Sequence, residues 1–134
     1  MIIDTSAVLA ILLQESDAGS FAMAIAKTRV LRISAVSIVE CSIVLRGREV
    51  DGAEDLIDRF VSDANMEIVA VDEPQSRIAR QAYARFGKGT GHPARLNFGD
   101  CFSYALAEAM GEPLLFKGNN FSQTDIAPAP LHTD

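Results

Sequence analysis

No stretch of this sequence stays apolar for long. Runs such as Ala7 to Leu13 stop far short of the ~20 residues that a membrane-spanning helix requires, so a soluble chain is expected. No Lys or Arg precedes Lys27, and an Asp stands at position 4. The basic-then-apolar pattern of a secretory signal is therefore missing, and a cytoplasmic location is expected. Cysteine is scarce: Cys41 and Cys101 form neither a CxxC pair nor a metal-type spacing, and in a reducing compartment they read as small buried apolar residues. Each follows a candidate site acid, but helical neighbours point about 100° apart, so adjacency does not make either thiol a ligand. Aromatic residues are also few, which leaves little for stacking; Tyr83, Phe86, Phe98 and Tyr104 are assigned to the core. Internal repeats and low-complexity segments are lacking.

What is present describes a globular domain. The 134 residues fit one domain, residues 1–134, and a chain of about this size buries roughly two-thirds of its unfolded surface. Nearly half the residues are apolar and 22% are charged, which excludes disorder and fibrous repeats. The net charge of −6 argues against nucleic-acid binding, because phosphate contacts rest on Lys and Arg. Its distribution argues the other way: between Ser76 and Phe98 there is no acid, while Arg77, Arg80, Arg85, Lys88 and Arg95 supply five cations beside His92. That segment is either a phosphate-binding surface or a solvated helix face running into a polar loop.

Strand patterns fall at Met1 to Asp4, Val30 to Ser34, Glu67 to Val71 and Pro113 to Phe116, with a further candidate near Pro130 to His132. Helical patterns lie between them. Ala7 to Gln14 and Ala18 to Lys27 are broken by Glu15-Ser16-Asp17, whose Ser and Asp are good amino-terminal caps. Val36 to Arg46 spaces Val36, Val39 and Ile43 on a helical period. Asp51 to Asn65 is amphipathic, with Leu56, Ile57, Phe60 and Val61 opposed to Glu54, Asp55, Asp58 and Arg59. Glu73 to Phe86 carries Pro74 in its first turn. The glycines of 87–91 require a loop, and a last helix runs from Gly99 to Met110. Alternating strands and helices predict right-handed crossovers and a mostly parallel sheet covered on both faces.

Three acids stand at informative places. Asp4 ends the first strand, on the edge where open α/β sheets bind ligands, although Asp is also a good helix cap. Ser37-Ile38-Val39-Glu40 fits a capping box, and Asp100 could simply complement the positive end of its helix. Asp4 and Glu40 are both expected in the first turn of a helix that follows a strand, which would bring them to one carboxyl-terminal edge. Carboxylates that close repel unless a cation neutralises them, and hard oxygen ligands suit Mg²⁺ or Mn²⁺ rather than Zn²⁺. Asp100 follows a glycine-rich loop, so spacing alone does not bring it there.

Four segments in order carry a resemblance: Ile2-Ile3-Asp4-Thr5-Ser6-Ala7, 33–40 (Ile-Ser-Ala-Val-Ser-Ile-Val-Glu), Leu96-Asn97-Phe98-Gly99-Asp100-Cys101-Phe102, and 114–126 from Leu114 to Ile126. Through them the chain resembles the PIN-domain ribonucleases, in particular the VapC-type toxins of bacterial toxin–antitoxin pairs. The resemblance implies a three-layer α/β/α sandwich and places the family's invariant acids at Asp4, Glu40 and Asp100, as ligands of Mg²⁺ or Mn²⁺. A fourth acid is usual where this chain has Asn120; Asp125 is a candidate substitute. The activity implied is endonucleolytic hydrolysis of structured RNA, transfer or ribosomal, by metal-activated water, with Ser6 and Ser37 as candidates for orienting that water. Arg77, Arg80, Arg85, Lys88, Arg95 and Lys117 are the candidate RNA contacts. A VapB-type antitoxin is the implied inhibitor, and a homodimer or a toxin–antitoxin hetero-oligomer the implied assembly, with apolar faces of the early helices as candidate dimer surface.

Two rivals remain at this point. A phospho-acceptor receiver domain would use Asp72 and Lys117, but the first strand lacks paired acids and Gly118 follows the Lys where Pro is usual. A PIN domain that has lost catalysis, and only binds RNA or protein, is motivated by Asn120.

Overall fold

The computed structural model describes residues 1–131. Among them are four short strands, β1 (Ile2–Ile3), β2 (Arg32–Ser34), β3 (Glu67–Val69) and β4 (Leu114–Leu115), and six α-helices: α1 (Thr5–Leu12), α2 (Ala18–Ala26), α3 (Ala35–Gly47), α4 (Ala53–Asp63), α5 (Glu73–Phe86) and α6 (Phe98–Met110). The strands form one parallel sheet in the order β3-β2-β1-β4, with Ile3 opposite Ile33 on one side and Leu115 on the other.

The alternation of side chains along each strand sorts the core into two layers. Ile3, Ile33 and Leu115 pack with Val8, Phe21, Leu45 and Ile57 from α1 to α4. Ile2 and Leu114 pack with Ala82, Phe86, Tyr104 and Leu106 from α5 and α6. The expected three-layer α/β/α sandwich follows. From β1 to β3 the chain advances in one direction; it then returns past β2 to set β4 against β1. Right-handed crossovers turn that reversal into a change of face, so α5 and α6 lie opposite the first four helices. The reversal makes the carboxyl ends of β1 and β4 a topological switch point, where such sheets open a crevice.

Helix starts are chemically specified. Asp4 caps α1, its carboxylate accepting from the Ser6 amide at 3.0 Å. Ser34 caps α3 through the Val36 amide at 3.3 Å. Asp72 caps α5 by accepting from the Gln75 amide at 2.9 Å, and Asn97 with Asp100 forms a reciprocal capping box on α6. At the amino-terminal edge of the sheet Arg32 donates to Glu67 and Glu112, each at 3.0 Å, and the Met1 ammonium lies 3.6 Å from Glu112.

Several expectations shift. Helix α3 begins at Ala35, so Ser37 is not its cap and Glu40 lies in the second turn rather than the first. Its buried face is Ser37, Cys41 and Leu45, while Val39 and Ile43 are 57% and 64% exposed; a three-to-four residue period is present, but the sheet selects a different stripe. Asp17 makes no side-chain cap bond to α2, because its carboxylate accepts from Lys117 Nζ at 3.1 Å. The strand expected near Pro130 to His132 is replaced by an isolated bridge between Leu114 and Pro128, with Pro130 and Leu131 outside any strand; His132 lies outside the described residues. Tyr83 and Phe98, expected in the core, are 44% and 73% exposed, whereas Phe86 and Tyr104 are buried.

Leu45 is fully buried under α3. Leu45→Ala removes three methyl-equivalents from a packed layer and is expected to cost about 3 kcal/mol, read as a lower midpoint in urea with an unchanged slope.

Candidate active site

Asp4 leaves β1 at the switch point and is only 2% exposed. A carboxylate so buried needs donors, and it has them on both oxygens. Oδ2 accepts from the Ser6 amide at 3.0 Å and from Ser6 Oγ at 2.6 Å; Oδ1 accepts from Ser103 Oγ at 2.5 Å. Ser103, on α6, is in turn 3.2 Å from Ser37 Oγ on α3, so one buried chain of hydroxyls ties three elements to this acid. Ser6 Oγ also accepts from the Lys117 amide at 2.9 Å, which fastens the segment after β4 to the same point.

Glu40 reaches the crevice from α3. Its Oε1 accepts from Thr5 Oγ1 at 2.6 Å, and its carboxylate lies against Gly99, where any Cβ would overlap it. Gly99 thus lets the start of α6 approach α3 closely enough to bring Asp100 beside Glu40. Asp100 accepts from the Asn97 amide at 3.0 Å, and the Asn120 side chain is near enough to favour its charged form.

The charges of the three acids are felt mutually. Burial, then the charge of Asp4, raises the Glu40 carboxyl above its ordinary range, against the pull of Thr5. Asp100 is raised to about 6 by burial and by the charges of Asp4 and Glu40, although the Asn97 and Asn120 hydrogen bonds favour its charged form. Among the described residues none of the three makes a salt bridge. The cluster is therefore negative, close and uncompensated by the protein's own cations.

The donor set suits a small hard cation. Among the described residues no three His, Cys, Asp or Glu side chains already form a cage for an ion; the carboxylates are turned onto Thr5, Ser6, Ser103 and the Asn97 amide instead. Mg²⁺ does not demand such a cage, since it keeps several waters and takes one or two carboxylates directly. The thiols are poorly matched to such an ion, because soft sulfur suits other metals; burial pushes Cys41 up to about 12 and Cys101 up to about 11, with the neighbouring acids adding to it.

Other candidates from the sequence separate. Asn120 reaches Asp100. Asp125 accepts from the Tyr104 hydroxyl at 2.5 Å and faces Arg85 at 3.4 Å, partners that lower its carboxyl, and it is not among the groups acting on Asp100. Its carboxylate is engaged by Tyr104 and Arg85 rather than by Asp100. Lys117 turns its ammonium to Glu15 at 2.8 Å and Asp17 at 3.1 Å; only its backbone touches the site. Arg77 pairs with Glu73 at 2.6 Å and Arg85 with Asp125. Arg80, Lys88 and Arg95 have no acidic partner among the described residues. Ser103 was not predicted from the sequence, and Thr5 entered only as part of a motif. A hydroxyl one turn after Asp100, on the face that includes Gly99, was the signal for Ser103.

Because the folded protein holds the Asp100 proton up to about pH 6 and the unfolded chain releases it near pH 4, this group makes stability fall as pH rises through that window. Glu40 acts in the same direction. In EDTA, Asp100→Asn is expected to raise the thermal midpoint at pH 8 and to lose most of that gain at pH 4.5. A variant less stable than the parent at pH 8 would mean that the cap hydrogen bond outweighs the repulsion.

The PIN domain family model matches residues 1–127. The chain is 50% identical over 129 residues to ribonuclease VapC28 of Mycobacterium tuberculosis, covering 96% of this chain and 97% of the relative. It is 47% identical over 127 residues to a ribonuclease VapC of Mycolicibacterium smegmatis, covering 95% and 98%. In fold it is similar to the crystal structure of Mycobacterium tuberculosis VapC20, described as a sarcin–ricin loop cleaving toxin, with a TM-score of 0.76, 18% identity and coverage of 94% and 95%. The receiver-domain reading falls, and Asp72 is the cap of α5. With its acids gathered at the switch point of a parallel sheet, the chain belongs to the PIN-domain family and, within it, to the VapC ribonucleases.

Proposed function

We propose that this protein is a Mg²⁺- or Mn²⁺-dependent endoribonuclease that hydrolyses structured RNA, transfer or ribosomal, and is held in check by a VapB-type antitoxin. The observation that carries the reading is the convergence of Asp4, Glu40 and Asp100 with no protein cation among them. These three side chains would hold the ion, directly or through its waters. When bound, it supplies polarisation of the phosphoryl group and a water acidic enough to attack.

The chain's own residues do the positioning. Ser6 occupies both acceptor sites of Asp4 Oδ2 and Ser103 one of those on Oδ1, which leaves the second lone pair of Oδ1 open, and Thr5 fixes one oxygen of Glu40, so that neither carboxylate must be ordered at the moment of binding. Asp100, with its proton poised near 6, is ionised at neutral pH and loses its charge in mild acid. Asn120 favours the charged form of Asp100 without adding a negative charge, and the ligand set is one charge poorer than with an acid there.

Partners follow from surface chemistry. An acidic crevice in an acidic protein suits a partner that inserts a basic side chain. The exposed Val39 and Ile43 of α3 offer that partner, or a second copy, an apolar seat. Among the described residues no helix is long and apolar enough to cross a membrane, and we place the activity in the cytoplasm, where the RNA is.

Cleavage of a mixed pool of transfer and ribosomal RNA, with Mg²⁺ or Mn²⁺ against EDTA, tests the reading. New ends carrying 5′-phosphate and 3′-hydroxyl groups are expected, lost with EDTA and with Asp4→Ala. Cyclic phosphate ends would refute hydrolysis by water, and a folded protein that binds RNA without cutting it would leave the inactive PIN module. Asn120→Asp is expected to tighten Mg²⁺ binding and speed cleavage, as followed by calorimetry and initial rates; unchanged values would show that this position contributes no ligand.

A further inference from the structure

Beside the acidic crevice, α5 and α6 enclose an open cleft of about 890 Å³ with largely apolar walls. Its lining includes Tyr83, Phe98 and Phe102, with Arg80, Lys88 and Asn97 as polar members. Phe98 is 73% exposed, and among the described residues its one aromatic neighbour, Phe102, meets it edge-on at 4.9 Å. The ring therefore rests against one neighbour with most of its surface uncovered.

The cations of this cleft differ from those nearby. Arg77, Arg85 and Lys117 are all engaged by acids of the chain, whereas Arg80 and Lys88 have none among the described residues, in a protein whose net charge is −6. Asn97 has its oxygen taken by the Asp100 amide, which leaves its amino group as a donor. The cleft is also built before any ligand arrives. The Tyr83 hydroxyl donates to Lys88 O at 2.6 Å, the Lys88 amide donates to Leu96 O at 2.8 Å, and a Cβ at Gly87 would collide with Tyr83. An aromatic surface flanked by free cations and an amide donor matches a polymer that alternates flat apolar rings with anions. The cleft adjoins the crevice through Asn97, which lines it and whose backbone amide donates to the Asp100 carboxylate at 3.0 Å.

We propose that this cleft receives one unpaired nucleobase of the RNA, stacked on Phe98 beside Asn97, with Arg80 and Lys88 against the neighbouring phosphates. The inference rests on the ribonuclease reading and adds to it a place where the strand next to the cut is read.

The test uses a spectroscopic gap in the chain, which contains no Trp. Phe98→Trp supplies a single indole in the cleft, and binding is followed in EDTA with short single-stranded RNA of mixed sequence and with the same sugar–phosphate chain lacking bases. Quenching of the indole by the base-bearing strand alone is expected. Phe98→Ala is expected to weaken that strand's binding by about tenfold, the size of a single base–aromatic stack, with Phe98→Tyr restoring it. Arg80→Gln and Lys88→Gln are expected to weaken both strands. An unquenched indole with equal binding by Phe98→Ala, in a protein that cuts RNA, would overturn the cleft and leave the ribonuclease reading intact. Quenching without any metal-dependent cutting would support the cleft and refute the nuclease. Failure of the parent to bind either strand would overturn the cleft, as would an indole signal that depends on protein concentration and tracks a dimer, which would assign the cleft to a second copy.

Discussion

A carboxylate removed from water at the end of the central strand governs much of this structure. Asp4 is almost inaccessible, and an acid in that state persists only if hydrogen-bonded. Its donors come from α1 and α6, and the α6 donor leans on a hydroxyl of α3. Satisfying one side chain therefore fixes the mutual positions of three helices that pack on two faces of the sheet. The strands themselves are only two or three residues long and could not set that geometry alone.

The two edges of the sheet treat acids oppositely. At the amino-terminal edge, Glu67 and Glu112 are gathered by Arg32 and the chain's own ammonium. At the carboxyl-terminal edge the acids are gathered with hydroxyls and amides, which stabilise charge without cancelling it. Concentrating uncancelled charge is costly to the fold, and such local conflict is characteristic of sites kept for function rather than stability.

Much of this was legible in the sequence. Asp4 was readable because an apolar strand ends on it, and the alternation of strands and helices announced a layered parallel sheet. Glu40 was read as reaching the same sheet edge as Asp4 but placed a turn too early, since Ser37-Ile38-Val39-Glu40 imitates a capping box while Ser34 does the capping. Asp100 could be joined to the others only through the family resemblance, because its approach depends on Gly99, and close packing across two helices leaves no periodic trace. Asp125 and Lys117 looked available from their positions in the chain. Their partners, Tyr104 and Arg85 in one case and Glu15 and Asp17 in the other, lie too far away in sequence for any local pattern to reveal them. Phe98 was misassigned because burial tendency is an average over residue types and does not register that the first residue of a helix can sit on an uncovered rim.

The order of strands has a consequence for synthesis. Residues 2 and 3 form the central strand, yet one of its two neighbours is Leu114–Leu115, and Asp4 finds Ser103 only after nearly a hundred intervening residues. The ribosome makes Asp4 99 residues before Ser103, so the contacts that shape the crevice close over long separations in sequence and form late relative to Asp4 itself. A nascent chain thus carries Asp4 without the arrangement that gives it purpose, and the crevice takes form only once α6 and β4 have followed.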